Sequence, residues 1–385
     1  MTNPRPQKRQ SPLRQPPVSG RVKLDQLADI LGLSKSTVSR ALNGYSDISD
    51  TTRKRVEATA RKMGYRPLSH AQAIRTGRVR AIAMVINSWE PDRNNPFLQD
   101  FLAGACEAAS ASDWTMTIST AKSEKDMLDV LGRLVEERKA DGFILPRTEV
   151  DDARIHYLRE LKVPFILYGR TGYGETDPQD DISWFDISGE AATHNAVTRL
   201  AHFGHHRIAY IGSDPKFNYS RLRRDGYLQG LQAAGLTMDP DLVRDGARTR
   251  EEGAAEAQAL MQLPNPPTAI VCATDLAALG CYPVCAELGL EIGHDVSIVG
   301  YDGIPECQYV NPGLTTFSVD SRRAGERLAT LLIRQTRGEE PATLRELSDA
   351  VLIARESDGP PRLTPEALTR KINQSNDHNR GGNRL

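Results

Sequence analysis

The 385-residue sequence lacks several features that would assign it to a specialised class of protein. It has no run of the roughly 18 apolar residues that a membrane-spanning helix needs, so we expect none. Its five cysteines lack the paired spacing of zinc ligands, and we interpret them as reduced thiols. The proline- and arginine-rich start contains no apolar segment, so we expect no secretory signal and a cytoplasmic location.

The sequence also lacks the patterns that would indicate an enzyme. No nucleophile and base occur with supporting spacing, so we assign no catalytic residues. His202, His205 and His206 have no matching carboxylate or cysteine set, and we interpret them as structural rather than as metal ligands. The glycines of 172–177 lack the third glycine and the helix start of a nucleotide loop. We therefore expect no catalysis, no metal and no cofactor.

Charge is distributed unevenly along the chain. Residues 1–80 contain 17 Lys and Arg but 5 Asp and Glu, whereas the whole chain has a formal net charge of −1. A basic head on an acidic body indicates that the head binds a polyanion while the body has another function. A disordered basic tail would explain residues 1–21, but it would not explain the patterned segment that follows.

The head has the periodicity of short helices joined by a tight turn. Apolar residues at 24, 27, 28 and 31 share one helix face, and Gly32 can end that helix. Ser34 is placed to cap a second helix, whose apolar arc contains Val38. A third helix begins at Ser49 or Asp50 and ends at Gly64. This arrangement predicts a helix-turn-helix unit.

The second helix carries a polar face that the protein core does not need. Short hydroxyl side chains let a backbone approach DNA and bind phosphate, while Arg, Lys and Asn contact phosphates or base edges. A small bundle with a solvated face is the alternative, but the basicity, the tight turn and the absence of Glu from this helix favour DNA. The candidate DNA-binding residues are Ser34, Lys35, Ser36, Thr37, Ser39, Arg40 and Asn43.

The head closely resembles a known family. The stretch from Val22 to Pro67, with its core "SKSTVSRALNG", is similar to the headpiece of the LacI/GalR family of bacterial transcription regulators. The resemblance implies that Lys35, Ser36 and Arg40 face bases in the major groove. It further implies that Ser34, Thr37, Ser39 and Asn43 hold the DNA backbone and that Tyr65 lies near it.

The connector "PLSHAQAIRTGRVR" (67–80) is short, basic and able to form a marginal helix. In the resembled family such hinge helices pair in the minor groove, where a leucine from each one opens a base step. Ile74 holds that position in this sequence, and Leu68 stands where the family usually has asparagine. We expect a hinge over 67–79, and a plain linker is the alternative.

The body alternates between strand-like and helix-like segments. Apolar runs indicate strands at 81–86, 115–120, 142–146, 164–168, 207–212, 268–273 and 296–301. Amphipathic segments indicate helices at 96–112, 124–139, 189–203, 220–234, 250–262 and 275–288. This alternation predicts an α/β body of parallel sheets, and the number of strands favours two doubly wound lobes.

Ligands of such folds bind at the carboxyl ends of strands, in the crevice between lobes. Polar residues at these ends, with one arginine on a following helix, can bind the hydroxyls or the acidic group of a small ligand. Each could instead be a helix cap or a surface ion pair, and this alternative is strongest for Asp275, which opens a helix. The candidates are Asn87, Arg170, Arg223, Thr274, Asp275 and Asp302.

The body also resembles the effector domain of the LacI/GalR family, which has the fold of periplasmic sugar-binding proteins. The matching landmarks include "ILYGR", "HFGHHRIAYIG", "RRDGY", "CATDLAALG", "DVSIVGYDGIP" and "ARES". The resemblance implies that Arg170, Arg223, Asp275 and Asp302 contact an effector. Thr274 replaces the usual asparagine, and Ile187 stands where asparagine is common, so the polar pattern differs from that of relatives.

Together these features predict an N-terminal three-helix helix-turn-helix headpiece and a two-lobed, periplasmic-binding-protein-like body. The expected parts are a disordered basic arm at 1–21, a DNA-binding domain at 22–66, the hinge at 67–79, an effector-binding and dimerisation domain at 80–357 and a disordered tail at 358–385.

The predicted function is that of a homodimeric repressor of carbohydrate-utilisation genes. Its expected partners are double-stranded, pseudo-palindromic operator DNA and a sugar-like effector. One alternative is a cytoplasmic sugar-binding or sugar-converting protein without DNA regulation, which would need no basic head. Another is an architectural DNA binder without an effector.

Overall fold

The computed structural model describes residues 22–65, 77–88, 97–171 and 181–382. The chain divides into two units, Met1–Arg78 and Val79–Leu385, which are called the head and the body. The predicted arm at 1–21, most of the predicted hinge and Ile74 lie outside the described residues. Helices and strands are numbered separately in chain order.

Within residues 22–65, the head folds into the helices α1 (Leu24–Leu31), α2 (Lys35–Leu42) and α3 (Asp50–Met63). Gly32 ends α1 at a φ of 62°, a backbone region that favours glycine. The side chains predicted to face inward form one small core, whose buried members are Leu27, Ala28, Leu31, Val38, Ala41, Val56 and Ala60. The polar residues of α2 therefore remain on the outside of the head.

The first lobe of the body is built on a parallel sheet. Its described strands are β1 (Ala81–Asn87), β2 (Thr115–Ala121), β3 (Gly142–Pro146), β4 (Phe165–Tyr168), β5 (Ser183–Ile187) and β11 (Arg345–Ser348). They lie in the order β11-β5-β4-β3-β1-β2. Its helices are α4 (Phe97–Ala111), α5 (Glu124–Glu136), α6 (Ala153–Glu160) and α11 (Ser321–Thr336).

The second lobe repeats this plan. Its strands are β6 (Ile208–Ile211), β7 (Val243–Arg244), β8 (Ala269–Cys272), β9 (Ser297–Asp302), β10 (Thr315–Ser318) and β12 (Val351–Ile353), in the order β12-β10-β9-β8-β6-β7. The described pairs are parallel except for β12, which runs antiparallel to β10. Its helices are α7 (Gly189–His202), α8 (Asn218–Ala233), α9 (Arg250–Met261), α10 (Asp275–Glu287) and α12 (Pro365–Gly382).

Both faces of each sheet are buried, which explains the continuous apolar runs in the sequence. Successive side chains of a strand point to opposite faces. Ile82 and Ile144 accordingly pack into one core cluster with α4 and α11, while Ala83 and Phe143 pack into a second cluster on the opposite face. The second lobe divides its core between two clusters in the same way.

The two lobes exchange chain segments, because β5 is followed by α7, β10 by α11 and β11 by β12. In the part of the chain that the structure describes, the backbone thus crosses between lobes three times, at 187–189, 318–321 and 348–351. Each lobe therefore contains segments from distant parts of the sequence. The crossings hold the lobes side by side and leave the carboxyl ends of the strands along the cleft between them.

The predicted α/β fold with two parallel-sheet lobes is confirmed. Each strand and helix inferred from the body sequence has a counterpart within a few residues. Strands β5, β7, β10, β11 and β12 and helices α6 and α11 were not predicted. The missed strands are short or contain polar residues, so they lack the apolar run on which the prediction depended.

The expectation of a disordered tail from 358 onward is wrong for residues 358–382. Helix α12 packs on the second lobe through Leu368 and Ile372, which are buried in its core. Lys371 on the same helix pairs with Asp295 at 2.6 Å. Leu368 and Ile372 have the spacing of one helical face, a signal obscured by the polar residues around them. Among the described residues, no helix is long and apolar enough to cross a membrane.

The packing of α12 leads to a stability prediction. Leu368→Ala should lower the free energy of unfolding of the body by about 2–5 kcal/mol, because it removes a fully buried side chain and leaves a cavity. Arg370→Ala on the exposed side of the same helix is the matched control and should change it by less than about 0.5 kcal/mol. Denaturant unfolding of both variants measures the difference, and equal small effects would mean that α12 is not part of the folded core.

Candidate nucleic-acid interface and ligand cavity

The N-terminus of α2 presents a group of hydroxyl side chains to solvent. Ser34 caps the helix by accepting a hydrogen bond from the Thr37 backbone N–H at 3.1 Å. Its Oγ also lies 2.7 Å from the Ser36 Oγ and 2.8 Å from the Thr37 Oγ1. These hydroxyls sit at the positive end of the helix dipole, where a phosphate group binds favourably.

The two cations of α2 are exposed and already pair with carboxylates. Lys35 Nζ lies 2.7 Å from Asp25 Oδ2 on α1. Arg40 pairs with Asp47, and its guanidinium lies 5.4 Å from the centre of the Tyr45 ring. Exposed ion pairs of this kind contribute about 0–1 kcal/mol. Both cations can therefore exchange their carboxylate for a phosphate or a base edge with little loss.

The remaining predicted DNA contacts divide into two groups. Ser39 and Asn43 are half-buried at the end of α2, where the Asn43 Nδ2 donates to the Ser39 Oγ at 3.3 Å. Tyr65 packs partly against the core of the head, and its backbone N–H donates to the Ala60 carbonyl at 2.9 Å. The described candidates on α2 thus share one polar surface, to which Tyr65 contributes a more buried ring.

The body contains a cavity of about 540 Å³ between its lobes. Its lining comes from the carboxyl ends of strands in both sheets, as the fold predicts. Asn87, Arg223, Thr274 and Asp302 of the predicted effector contacts line it. Thr274 also caps α10, since its side chain accepts from the Ala277 backbone N–H.

Arg223 and Asp302 form the polar centre of this cavity. The Arg223 guanidinium lies 3.7 Å from the centre of the Tyr301 ring and 4.9 Å from that of Tyr219. Its Nη1 donates to the Ala273 carbonyl, and its Nη2 lies 3.8 Å from the Asp302 Oδ1. These contacts fix the arginine between two aromatic faces and leave the carboxylate at ion-pair distance, where both groups can bind ligand hydroxyls.

Asp302 is held in an unusual state. Its φ of 121° lies in a backbone region that residues other than glycine rarely adopt. Burial raises the pKa of its carboxyl from the ordinary value to about 7, because the loss of solvent outweighs the stabilising charge of Arg223. Perturbed carboxyls of this kind cluster at functional sites.

Asp275 does not line the cavity, which corrects its prediction as an effector contact. It is fully buried, and its carboxylate accepts hydrogen bonds from the backbone N–H groups of Gly303 and Ile304 at 2.6 and 2.9 Å. The Thr316 hydroxyl donates to the other oxygen at 2.6 Å. A buried carboxylate needs such donors, and because these donors come from the protein, the oxygens of Asp275 are not available to a ligand. Asp275 is a positioning residue for the loop that follows Asp302 at the end of β9.

Arg170 likewise lies outside the cavity lining, contrary to its prediction. Its side chain is buried, where its Nε donates to Asp186 at 2.7 Å and its Nη2 donates to Glu190 at 2.6 Å. Glu190 lies on α7 of the second lobe, just beyond a lobe crossing. Two carboxylates therefore satisfy the guanidinium, and Arg170 ties the end of β4 to this crossing instead of binding a ligand.

The sequence missed several polar and aromatic lining residues. Arg147 and Thr148 directly follow β3, so the rule that selected Asn87 would have found them. The aromatic members, which line both lobes, had no such signal because aromatic residues next to strands are usually core. They are Phe101, Tyr168, Phe217, Tyr219 and Tyr301.

Backbone contacts join the lobes at one side of the cavity. The Val150 N–H donates to the Lys216 carbonyl at 2.9 Å, and the Asn218 N–H donates to the Thr148 carbonyl at 3.0 Å. The Asn218 Nδ2 donates to the Glu149 carbonyl at 2.8 Å. The segment after β3 thus pairs with the start of α8, which encloses the cavity at this side.

Comparisons with known proteins match both the head and the body. Residues 23–68 match the bacterial regulatory proteins of the lacI family, and residues 197–357 match the periplasmic binding protein-like domain. The chain is 35% identical to the HTH-type transcriptional regulator AglR of Rhizobium meliloti, over 88% of this chain and 95% of AglR. It is 30% identical to the transcriptional repressor CytR of Escherichia coli, over 84% of this chain and 93% of CytR.

Solved structures give the same result. A complex of the transcriptional regulator CelR with cellobiose matches with a TM-score of 0.67 and 28% identity, over 88% of this chain and all of that one. A helix-turn-helix head on a two-lobed body with an interlobe cavity defines a class of DNA-binding transcription regulators. The chain belongs to the LacI family of this class, which is not a family of enzymes. This membership disfavours the alternative of a sugar-binding or sugar-converting protein without DNA regulation.

The raised pKa of Asp302 predicts a pH dependence of stability. The folded body retains a proton that the unfolded chain releases above about pH 4. The stabilisation from the protonated carboxyl is therefore complete below about pH 4 and is lost as the pH rises to about 7. Relative to Asp302→Asn, the wild-type protein should lose stability over this window and then level off.

Denaturant unfolding between pH 4 and pH 8 measures this difference. Asp129→Asn, on the exposed side of α5, is the matched control and should give no comparable trend. A stability difference between wild type and Asp302→Asn that stays constant across the window would contradict the raised pKa.

Proposed function

We propose that this regulator is a repressor whose affinity for operator DNA is set by a small, sugar-like effector in the interlobe cavity. The observation that carries the proposal is the placement of Arg223, Asp302 and aromatic rings from both lobes around one cavity. Because both lobes contribute, a ligand that contacts them together favours one lobe arrangement over others.

The chemistry of the cavity suits a polyhydroxy ligand. A guanidinium and a carboxylate side by side provide donors and acceptors for neighbouring hydroxyls. Tyr168 and Tyr219, the partly exposed rings of the lining, can contact the apolar face of a sugar ring. The related CelR structure contains cellobiose, which supports a carbohydrate as the effector class. We accordingly propose that the regulated genes serve carbohydrate utilisation.

The head presents few side chains for base contacts, so specific binding needs two heads on one pseudo-palindromic operator. We infer a homodimer whose interface lies in the body, because the exposed surface of the head is small and polar. The proposed site of action is the cytoplasm, where bacterial operator DNA is found. Residues 1–21 and the hinge at 67–79 add basic segments on either side of the headpiece.

Coupling between the sites follows from the connection of the chain. The proposed hinge leads directly into β1 of the first lobe. In a dimer, a rotation of the lobes changes the distance between the two β1 strands, to which the hinge segments and heads are connected. Effector and operator then bias the same lobe arrangement, and by linkage each changes the affinity of the other by the same factor.

The first test concerns the head. If Arg40 reads a base, Arg40→Ala should weaken specific operator binding by about 1–3 kcal/mol with little effect on random DNA. Arg61→Ala on α3 is the control for loss of one positive charge. Fluorescence anisotropy with operator and random duplexes measures both. Equal losses on the two duplexes would make Arg40 a phosphate contact, and no loss would remove it from the interface.

The second test concerns the response to effector. Arg223→Ala and Asp302→Ala should leave operator affinity within about twofold of wild type, because both residues lie in the body cavity. The carbohydrate that gives the largest thermal shift in wild type should no longer change operator affinity in either variant. A folded variant that loses operator binding but keeps full ligand affinity would contradict this placement of the effector site. If none of the carbohydrates shifts the melting temperature, the result would instead favour an architectural DNA binder without an effector.

A further inference from the structure

The cavity continues far beyond the centre formed by Arg223 and Asp302. In the first lobe its lining begins at Asp186 on β5 and reaches Glu124, which follows the far edge strand β2. In the second lobe it begins at Asp302 on β9 and reaches Arg248, which follows the edge strand β7. In the second lobe, β9 and β7 are three strand spacings of about 4.8 Å apart, which gives the cavity a length of about 14 Å there. One pyranose ring is about as wide as a single spacing.

The volume of the cavity, like its length, is larger than a single sugar ring requires. At about 540 Å³ the cavity lies well within the range of about 300–1,000 Å³ that encloses ligands of drug size, which are larger than one sugar ring. A monosaccharide would leave most of this cavity unfilled, whereas a ligand of two or three rings would occupy it.

The part of the cavity away from Arg223 has its own recognition groups, and we call it the outer half. It is defined by Glu124, Arg154, Phe217 and Arg248. The Arg248 guanidinium lies 5.4 Å from the centre of the Phe217 ring, and Phe217 in turn stacks on Tyr219 at 5.5 Å. Tyr219 contacts Arg223 of the polar centre. The stacked rings of Phe217 and Tyr219 thus connect Arg248 of the outer half to Arg223 of the polar centre.

The charges around the cavity disfavour an acidic ligand. Arg154 forms two hydrogen bonds with the Asp152 carboxylate, at 2.9 and 2.6 Å. Above about pH 7, where Asp302 is ionised, its carboxylate faces Arg223 and would repel an anionic group placed on that arginine. Glu124 in the outer half adds a further negative group. A neutral ligand avoids these repulsions and still uses each group for hydroxyls.

From this geometry we propose that the effector is a neutral oligosaccharide of two or three rings, whose second ring binds in the outer half. The inference rests on the proposed function, because it assigns a ligand to the same cavity. The outer half selects for chain length, while Arg223 and Asp302 bind the first ring.

Titration calorimetry on the full-length protein tests the proposal. The probes are glucose, galactose and fructose, then maltose, cellobiose, sucrose, trehalose, melibiose and raffinose, and finally glucose 6-phosphate and galacturonate. At least one neutral di- or trisaccharide should bind at least tenfold more tightly than every monosaccharide and every acidic sugar.

Variants assign the selectivity to the outer half. Arg248→Ala should weaken binding of the best oligosaccharide at least tenfold while changing that of its component monosaccharides less than twofold. Arg337→Ala, exposed at the end of α11, is the matched control and should change neither. Asp302→Ala should weaken both ligand sizes, because both use the polar centre.

Different outcomes would contradict the oligosaccharide proposal and the proposed effector site. A monosaccharide that binds as tightly as every oligosaccharide, an acidic sugar that binds best, or an Arg248→Ala effect that is equal for both sizes would overturn the oligosaccharide proposal. Carbohydrate binding that Asp302→Ala leaves unchanged would overturn the proposed effector site itself. Binding of no carbohydrate in the series would overturn both.

Discussion

The body depends on one topological constraint, the exchange of chain between two parallel sheets. Because the backbone passes from one lobe to the other at 187–189, 318–321 and 348–351, neither lobe is a continuous segment. The crossings hold the lobes side by side along one edge. The carboxyl ends of both sheets then border a common cleft, and a ligand there contacts both lobes.

Buried charges secure this arrangement close to the crossings. Arg170 binds Asp186 before the first crossing and Glu190 after it, so the ion pairs span the connection. Asp275 binds the backbone of the loop after β9, and at Gly300 an added Cβ would lie 2.2 Å from its carboxylate. Asp275 thus fixes the backbone next to the ligand-facing Asp302, and neither Asp275 nor Arg170 lines the cavity. Loss of one partner would leave a buried charge uncompensated.

The sequence was sufficient for the architecture and for part of the site. Long apolar runs and helical periodicity identified the head, the two lobes and the strands on which the cavity is built. Short strands such as β11 (Arg345–Ser348) escaped because their side chains are mostly polar, and α11 was missed although its buried face matches the core of the first lobe. Its strong apolar periodicity shows that this omission was avoidable.

The site residues show where sequence reasoning reaches its limit. A polar residue after a strand can point into the cleft, as Asp302 does, or into the protein, as Asp275 and Arg170 do. Only the positions of the donors and carboxylates around each group decide between these cases. Those partners lie far away in the chain, so no local sequence pattern indicates them. Thr316, which donates to Asp275, is an example.

The ion pairs on α2 have a consequence for how the regulator searches a genome. Asp25 and Asp47 compete with every phosphate for Lys35 and Arg40, whatever the DNA sequence. This competition lowers affinity for random DNA and for the operator alike, but base contacts compensate for it only at the operator. Two heads double the effect. The ratio of operator affinity to random-DNA affinity therefore comes from the base contacts, while the carboxylates shorten the time that the protein spends at each site by a modest factor.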